Sequence, residues 1–159
     1  MNRTSFVAAA ALLLVTTATI SAQRPDKNTV RGLIAKGEVI SISARTNRAY
    51  VIGALPMRSV ICLQYVGGLW KGWGNIPTDN PDDAAAEGGD RSRLAIVEVT
   101  ASGKQRVVAV VPPNTKNNPF AYVVSHDMKE VVLRMNDNDG AFEKNPDKGV
   151  KYRFFLQRP

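Results

Sequence analysis

Hydrophobic residues along this chain recur mostly at every second position. The clearest run has Val150, Tyr152, Phe154 and Leu156 alternating with Lys151, Arg153 and Phe155. A period of two places each set on one face of an extended strand. Residues 38–44 repeat the pattern, with Ile40, Ile42 and Ala44 opposite Ser41 and Ser43. Phe120, Tyr122 and Val124 form a third alternating set. Val131, Leu133 and Met135 form a fourth, with Arg134 facing outward. Apolar runs at 59–66, 94–100 and 105–111 add further strands, and residues 30–34 read as a first edge strand.

Turn residues separate these runs. Ala101-Ser102-Gly103-Lys104 predicts a hairpin between 94–100 and 105–111. Arg45-Thr46-Asn47-Arg48 predicts another between 38–44 and 49–53. Helical periodicity is almost absent. Eight to nine short strands predict an all-β antiparallel sandwich or barrel, as one domain over residues 30–159.

The N-terminal stretch has a different pattern. Asn2 and Arg3 precede an apolar run at 6–20, and Ser21-Ala22 supplies small residues before Gln23. That is the layout of a secretory signal peptide, here residues 1–22. It predicts a secreted or periplasmic protein without stable membrane insertion after cleavage. Residues 23–29, polar and holding Pro25, read as a disordered leader.

Charge and cysteine content narrow the function classes. The formal net charge is +7, and loss of Arg3 with the leader lowers it by one. The basic residues are spread out, with no Lys/Arg-rich run and no nucleic-acid module, so no nucleic-acid partner is expected. Cys62, the only cysteine, lies in the apolar run Ser59-Val60-Ile61-Cys62-Leu63 and reads as a buried hydrophobe. With one His and one Cys, a zinc site is excluded. His126-Asp127 reads as a solvated turn, so no Ser–His or Cys–His device is expected and the chain reads as a non-enzyme.

Two long connections carry the candidate chemistry. The first, 67–89, contains Trp70-Lys71-Gly72-Trp73-Gly74 and an acidic patch at Asp79, Asp82, Asp83 and Glu87 that continues to Asp90 just beyond it. Its half from Pro81 to Gly89 is expected to be mobile. Trp70 and Trp73 are either core anchors or indoles that stack on a sugar. The second connection, 135–149, is rich in carboxylates and amides. Asp137 and Asp139 each offer a carboxylate oxygen, Ala141 a carbonyl, and Asn145 an amide oxygen or carbonyl. Such oxygens suit calcium. The spacing is not that of an EF-hand, because Met135 and Pro146 fall where acidic ligands are required. An ion-free turn in which Asn and Asp cap their own backbone stays open.

Several stretches together resemble the calcium-dependent galactophilic lectins of bacteria (the PA-I, or LecA-like, type). These are Lys36-Gly37-Glu38-Val39, Trp70-Lys71-Gly72-Trp73-Gly74, Val111-Pro112-Pro113-Asn114-Thr115, Asn136-Asp137-Asn138-Asp139-Gly140-Ala141-Phe142 and the strand after Gly149. The resemblance implies a galactose-binding-like, jelly-roll-like β-sandwich. It implies calcium held by the Trp73 carbonyl, the Asp137 carboxylate, the Ala141 carbonyl and the Asn145 oxygens, with a sugar completing the shell. The chain departs from that family at Lys144-Asn145, where the family has paired Asn, and by extra residues among Pro146-Asp147-Lys148.

The expected function is therefore a secreted, lectin-like, carbohydrate-binding module with Trp70, Trp73, Asp137 and Asn145 at its ligand and Ca2+ as cofactor. An alternative is an envelope or matrix module that binds protein or an acidic polymer through Lys144, Lys148, Lys151 and Arg153. A third reading is a hydrolase using Asp79, Asp82 or Asp83. The oligomeric state is left open.

Overall fold

The computed structural model describes residues 24–71, 78–86, 89–137, 142 and 149–159. The expected signal peptide and Gln23 lie outside them. The described chain is an all-β antiparallel sandwich, as its alternation predicts. One four-stranded sheet has the order β1 (Glu38–Ile42), β10 (Val150–Gln157), β3 (Val60–Gly68), β8 (Phe120–Val123). The other has the order β2 (Tyr50–Leu55), β9 (Met128–Met135), β6 (Leu94–Val99), β7 (Gln105–Val110). A short ribbon pairs β4 (Trp70–Lys71) with β5 (Thr78–Asp79).

Alternation sorts the side chains as expected. Ile61, Leu63, Leu94, Ile96 and Leu133 have no exposed surface and meet between the sheets. The rings of Tyr50 and Phe154 bridge the two layers edge-to-face at 5.5 Å. The turn at 101–104 closes the β6–β7 hairpin, with the Thr100 N–H donating to the Lys104 carbonyl at 2.9 Å.

Two expectations are corrected. Residues 38–53 are not a hairpin. Strand β1 pairs with β10 while β2 pairs with β9, so the turn after Ser43 crosses from one sheet to the other. The apolar residues Ile40 and Ile42 on one side and Leu55 on the other face a shared core from opposite layers. Sheets pack about 10 Å apart, a gap that this connection spans.

Residues 30–34 are not an edge strand either. They belong to helix α1 (Lys27–Ile34), whose first turn takes in the second half of the segment read as disordered. Asp26 caps it, its carboxylate accepting from the N–H groups of Asn28 at 2.9 Å and Thr29 at 3.1 Å. Val30 and Ile34, four apart and on one helix face, pack on the outside of the first sheet against Val60, Cys62 and Ala121. The sequence Lys-Asn-Thr-Val-Arg-Gly-Leu-Ile has poor intrinsic helix propensity, so the cap and the packing decide the conformation.

This third layer explains why β3 is buried on both faces. Its odd-numbered residues Ile61, Leu63 and Tyr65 line the sandwich, and Val60 and Cys62 lie under α1. Cys62 is fully buried as expected, and burial pushes its thiol up to about 11.

Candidate functional site

The two long connections leave the sandwich at one end, and their described feet touch. Gly68 closes β3 and pairs with Val150 at the start of β10. Gly68 has φ +98°, and a Cβ there would lie 2.6 Å from the Gly149 carbonyl oxygen. A Cβ on Gly149 would in turn lie 2.7 Å from the carbonyl of Ile42, at the end of β1. Three backbone passes are thus in direct contact, which glycine alone permits. A register shift between Lys151 and Tyr152 marks a bulge at the same place.

Aromatic side chains floor this end. Tyr65 and Tyr152 meet edge-to-face at 5.7 Å, and the Tyr65 hydroxyl donates to the Gly68 carbonyl. Burial, together with the charge of Asp82, raises both phenol pKa values. Trp70 and Phe142 belong to the same core cluster, so each long connection sends one aromatic anchor into a common core.

That placement corrects one expectation. Trp70 has no exposed surface, so its indole is a core anchor and not a stacking platform for sugar. Its Nε1–H is buried and has no hydrogen-bond partner among the described residues. Trp73, Asp139, Ala141 and Asn145 lie outside the described residues.

Asp137 is the one expected metal ligand that is described. It is half-buried, and its carbonyl accepts from Arg134 Nη1 at 3.1 Å. Arg134 faces outward, as its parity predicts, yet is buried. It donates to the Met135 carbonyl at 2.7 Å and to Gln105 Oε1 at 3.1 Å, and its guanidinium sits 5.2 Å from the Phe142 ring centre. Burial lowers its pKa while the charge of Asp137 raises it. A fixed cation therefore stands at the mouth of the acidic connection, where it opposes a divalent ion. Among the described residues, no three His, Cys, Asp or Glu side chains gather around one point. The described residues alone do not build a calcium site.

The start of the acidic connection is tied down by amides. The Asn136 N–H donates to the Arg93 carbonyl at 2.8 Å, and its Nδ2 donates to the Asp90 carbonyl at 3.0 Å. Arg93 is itself buried, with Nε on Asp90 Oδ1 at 3.0 Å.

Asp82 has a role that the sequence did not disclose. It sits in the stretch expected to be mobile, yet Pro81 and Asp82 are buried. Its carboxylate accepts from the Thr115 N–H at 2.5 Å, the Thr115 hydroxyl at 2.6 Å and the Lys116 N–H at 3.0 Å. The Asp82 carbonyl accepts from the Asn114 N–H at 2.8 Å. The Thr115 hydroxyl also accepts from the Tyr65 N–H at 3.1 Å, joining this clamp to β3. A carboxylate so engaged is a structural group, not a hydrolytic one. The legible part of the signal was Asn80-Pro81-Asp82, where Asn80 Oδ1 takes the Asp82 N–H at 3.0 Å.

His126 is also more than a solvated turn residue. Its Nε2 lies 3.1 Å from Glu98 Oε1, and its Nδ1 lies 3.1 Å from the Ser125 hydroxyl. Arg106 donates to Glu98 Oε2 through Nε and Nη2, and this pairing leads the causes that hold the Glu98 pKa below its usual value. With its charge already balanced by Arg106, Glu98 is poorly placed to support an imidazolium as the acid of a nucleophilic triad does.

Comparison with known proteins adds one similarity. No family model matches the chain. No curated protein matches it in sequence either. Among solved structures, it is similar to one described as "EclA N-terminal domain; PllA-like lectin". The TM-score is 0.47 at 12% identity, over 75% of this chain and 95% of that one.

Proposed function

We propose that this protein is a carbohydrate-binding, lectin-like module whose ligand sits where the 69–79 and 136–149 connections leave the sandwich. One observation carries the reading. The feet of both connections are locked together, through Gly68 against Gly149 and Val150, and through Trp70 and Phe142 in one core. The described ends of two segments far apart in sequence thereby meet at one place on the scaffold, which supports a shared binding site there. The resemblance of Trp70-Lys71-Gly72-Trp73-Gly74 and of Asn136 to Phe142 to lectin segments supplies the ligand class. In this reading Trp73, Asp137 and Asn145 contact the sugar.

Calcium is the second part of the proposal. Asp137, Asp139, the Asn145 oxygens and the carbonyls of Trp73 and Ala141 are the oxygens that would hold it. It would bind two sugar hydroxyls as a Lewis acid. The Arg134 guanidinium makes that site weaker than one free of fixed cations. Secretion through the N-terminal leader completes the reading.

Calorimetry against a glycan panel, in calcium and in chelator, tests both parts. Binding that Trp73→Ala and Asp137→Ala abolish supports the proposal. Binding unchanged by chelator removes calcium alone. No heat with any sugar removes the lectin reading.

A further inference from the structure

On the outside of the α1-covered sheet, two cavities open side by side. The first, about 370 Å³, is lined by Arg24, Lys27 and Arg31 together with Pro112, Pro113 and Phe120. The second, about 420 Å³, is bordered by Arg31, Gln64, Asn117 and Arg153. Both are lined by Arg31 and Pro119, so they form two stretches of one groove. Each volume is in the range of small-ligand sites.

The groove is electrostatically one-sided. Among the described residues, Arg24, Lys27, Arg31 and Arg153 have no carboxylate within ion-pair distance. Arg31 makes one long contact, Nη2 to the Asn117 carbonyl at 3.4 Å. The single carboxylate among the described lining residues, Asp26, is engaged in capping α1 and with the Thr29 hydroxyl. The wall at Asn117 to Pro119 is held by the Asp82 clamp on the residues just before it.

We infer that this groove binds a linear, carboxylate-bearing polysaccharide. Guanidinium groups present paired N–H donors that match a carboxylate, and they are weakly hydrated cations that bind well in a cleft. The proline rings offer flat C–H surfaces of the kind that pack on pyranose faces. The shape is concave, which does not suit a membrane surface. A single nucleic-acid strand needs open aromatic faces for its bases. Phe120 packs against the core and is covered by Arg24, whose guanidinium carbon lies 5.0 Å from the ring centre. The site is separate from the sugar site proposed above, and neither depends on the other.

The test is calorimetry of the full chain with tetragalacturonate in the presence of chelator, which silences any calcium-dependent site. The acid form is expected to bind, and its methyl ester to bind at least about tenfold more weakly, since charge carries the recognition. Raising salt from about 50 to about 300 mM should weaken binding several-fold through screening. Arg31→Gln and Arg153→Gln, each checked for an unchanged melt, should each weaken it about tenfold. Lys104→Gln, at the β6–β7 turn, should change it less than about twofold. No binding of the acid form, equal binding of the ester, an equal effect of Lys104→Gln, or equally tight binding of a tetranucleotide would overturn the inference.

Discussion

Replacing Asp82 by Ala removes the acceptor that fastens the 114–116 segment to the body of the sandwich. Three donors lose their partner: the Thr115 N–H, the Thr115 hydroxyl and the Lys116 N–H. They are not equivalent. Lys116 is exposed and its N–H can turn to water, while Thr115 has no exposed surface. A hydrogen bond to a charged group contributes about 1.5–3 kcal/mol, and an orphaned buried donor costs about 1–3 kcal/mol. These terms overlap, so Asp82→Ala should destabilise by about 3–5 kcal/mol. For a domain of this size that lowers Tm by about 10 °C or more. Asp82→Asn keeps one acceptor but turns an amide toward the Lys116 N–H, and should cost about 1–2 kcal/mol. Asp83→Ala is the control. Asp83 is exposed and, among the described residues, its carboxylate takes only the Ala85 N–H at 2.9 Å, so its loss should cost about 0.5 kcal/mol or less. Urea unfolding at constant m measures all three. Hydrogen exchange at the Tyr65 amide, which donates to Thr115, should quicken in Asp82→Ala. If Asp82→Ala lies within about 0.5 kcal/mol of the parent, the clamp is not what orders this segment.

Two further outcomes follow from the same geometry. Gly68→Ala should destabilise by about 2–4 kcal/mol, because its φ of +98° disfavours a side chain and its Cβ meets the Gly149 carbonyl at 2.6 Å; a neutral result in urea unfolding would show that β3 and β10 can separate at no cost. The Glu98 carboxyl has its pKa lowered in the fold, chiefly by Arg106, so its stabilising contribution is present above the ordinary value of 4.5 and disappears as pH falls through the folded value. Melting from neutral to acid pH should therefore fall less steeply in Glu98→Gln than in the parent, and parallel curves would refute the assignment.

The sheets were legible because alternation is a property of residues close in sequence. Val150, Tyr152 and Phe154 read as one face and are one face of β10. Pairing was not legible to the same degree. Nothing local in Arg45-Thr46-Asn47-Arg48 distinguishes a turn that closes a hairpin from one that steps between sheets. Helix α1 was hidden because its two buried residues, Val30 and Ile34, also suit a strand, and its deciding partners Val60, Cys62 and Ala121 are distant in sequence. The burial of Trp70 is another long-range outcome, since an indole flanked by glycine-rich turns reads equally well as anchor or platform. The role of Asp82 depends on residues 115 and 116, which no spacing rule connects to it.

Cys62 lies under α1, its thiol inert while the helix is seated. With no second cysteine to pair with, the fold owes nothing to redox conditions, and its melt should be the same with and without reductant. The lone sulfur is thereby a built-in clock. A thiol reagent in excess should modify it only when α1 lifts from the sheet, so the labelling rate reads how often that layer detaches, and Asp26→Ala, which removes the helix cap, should speed it several-fold.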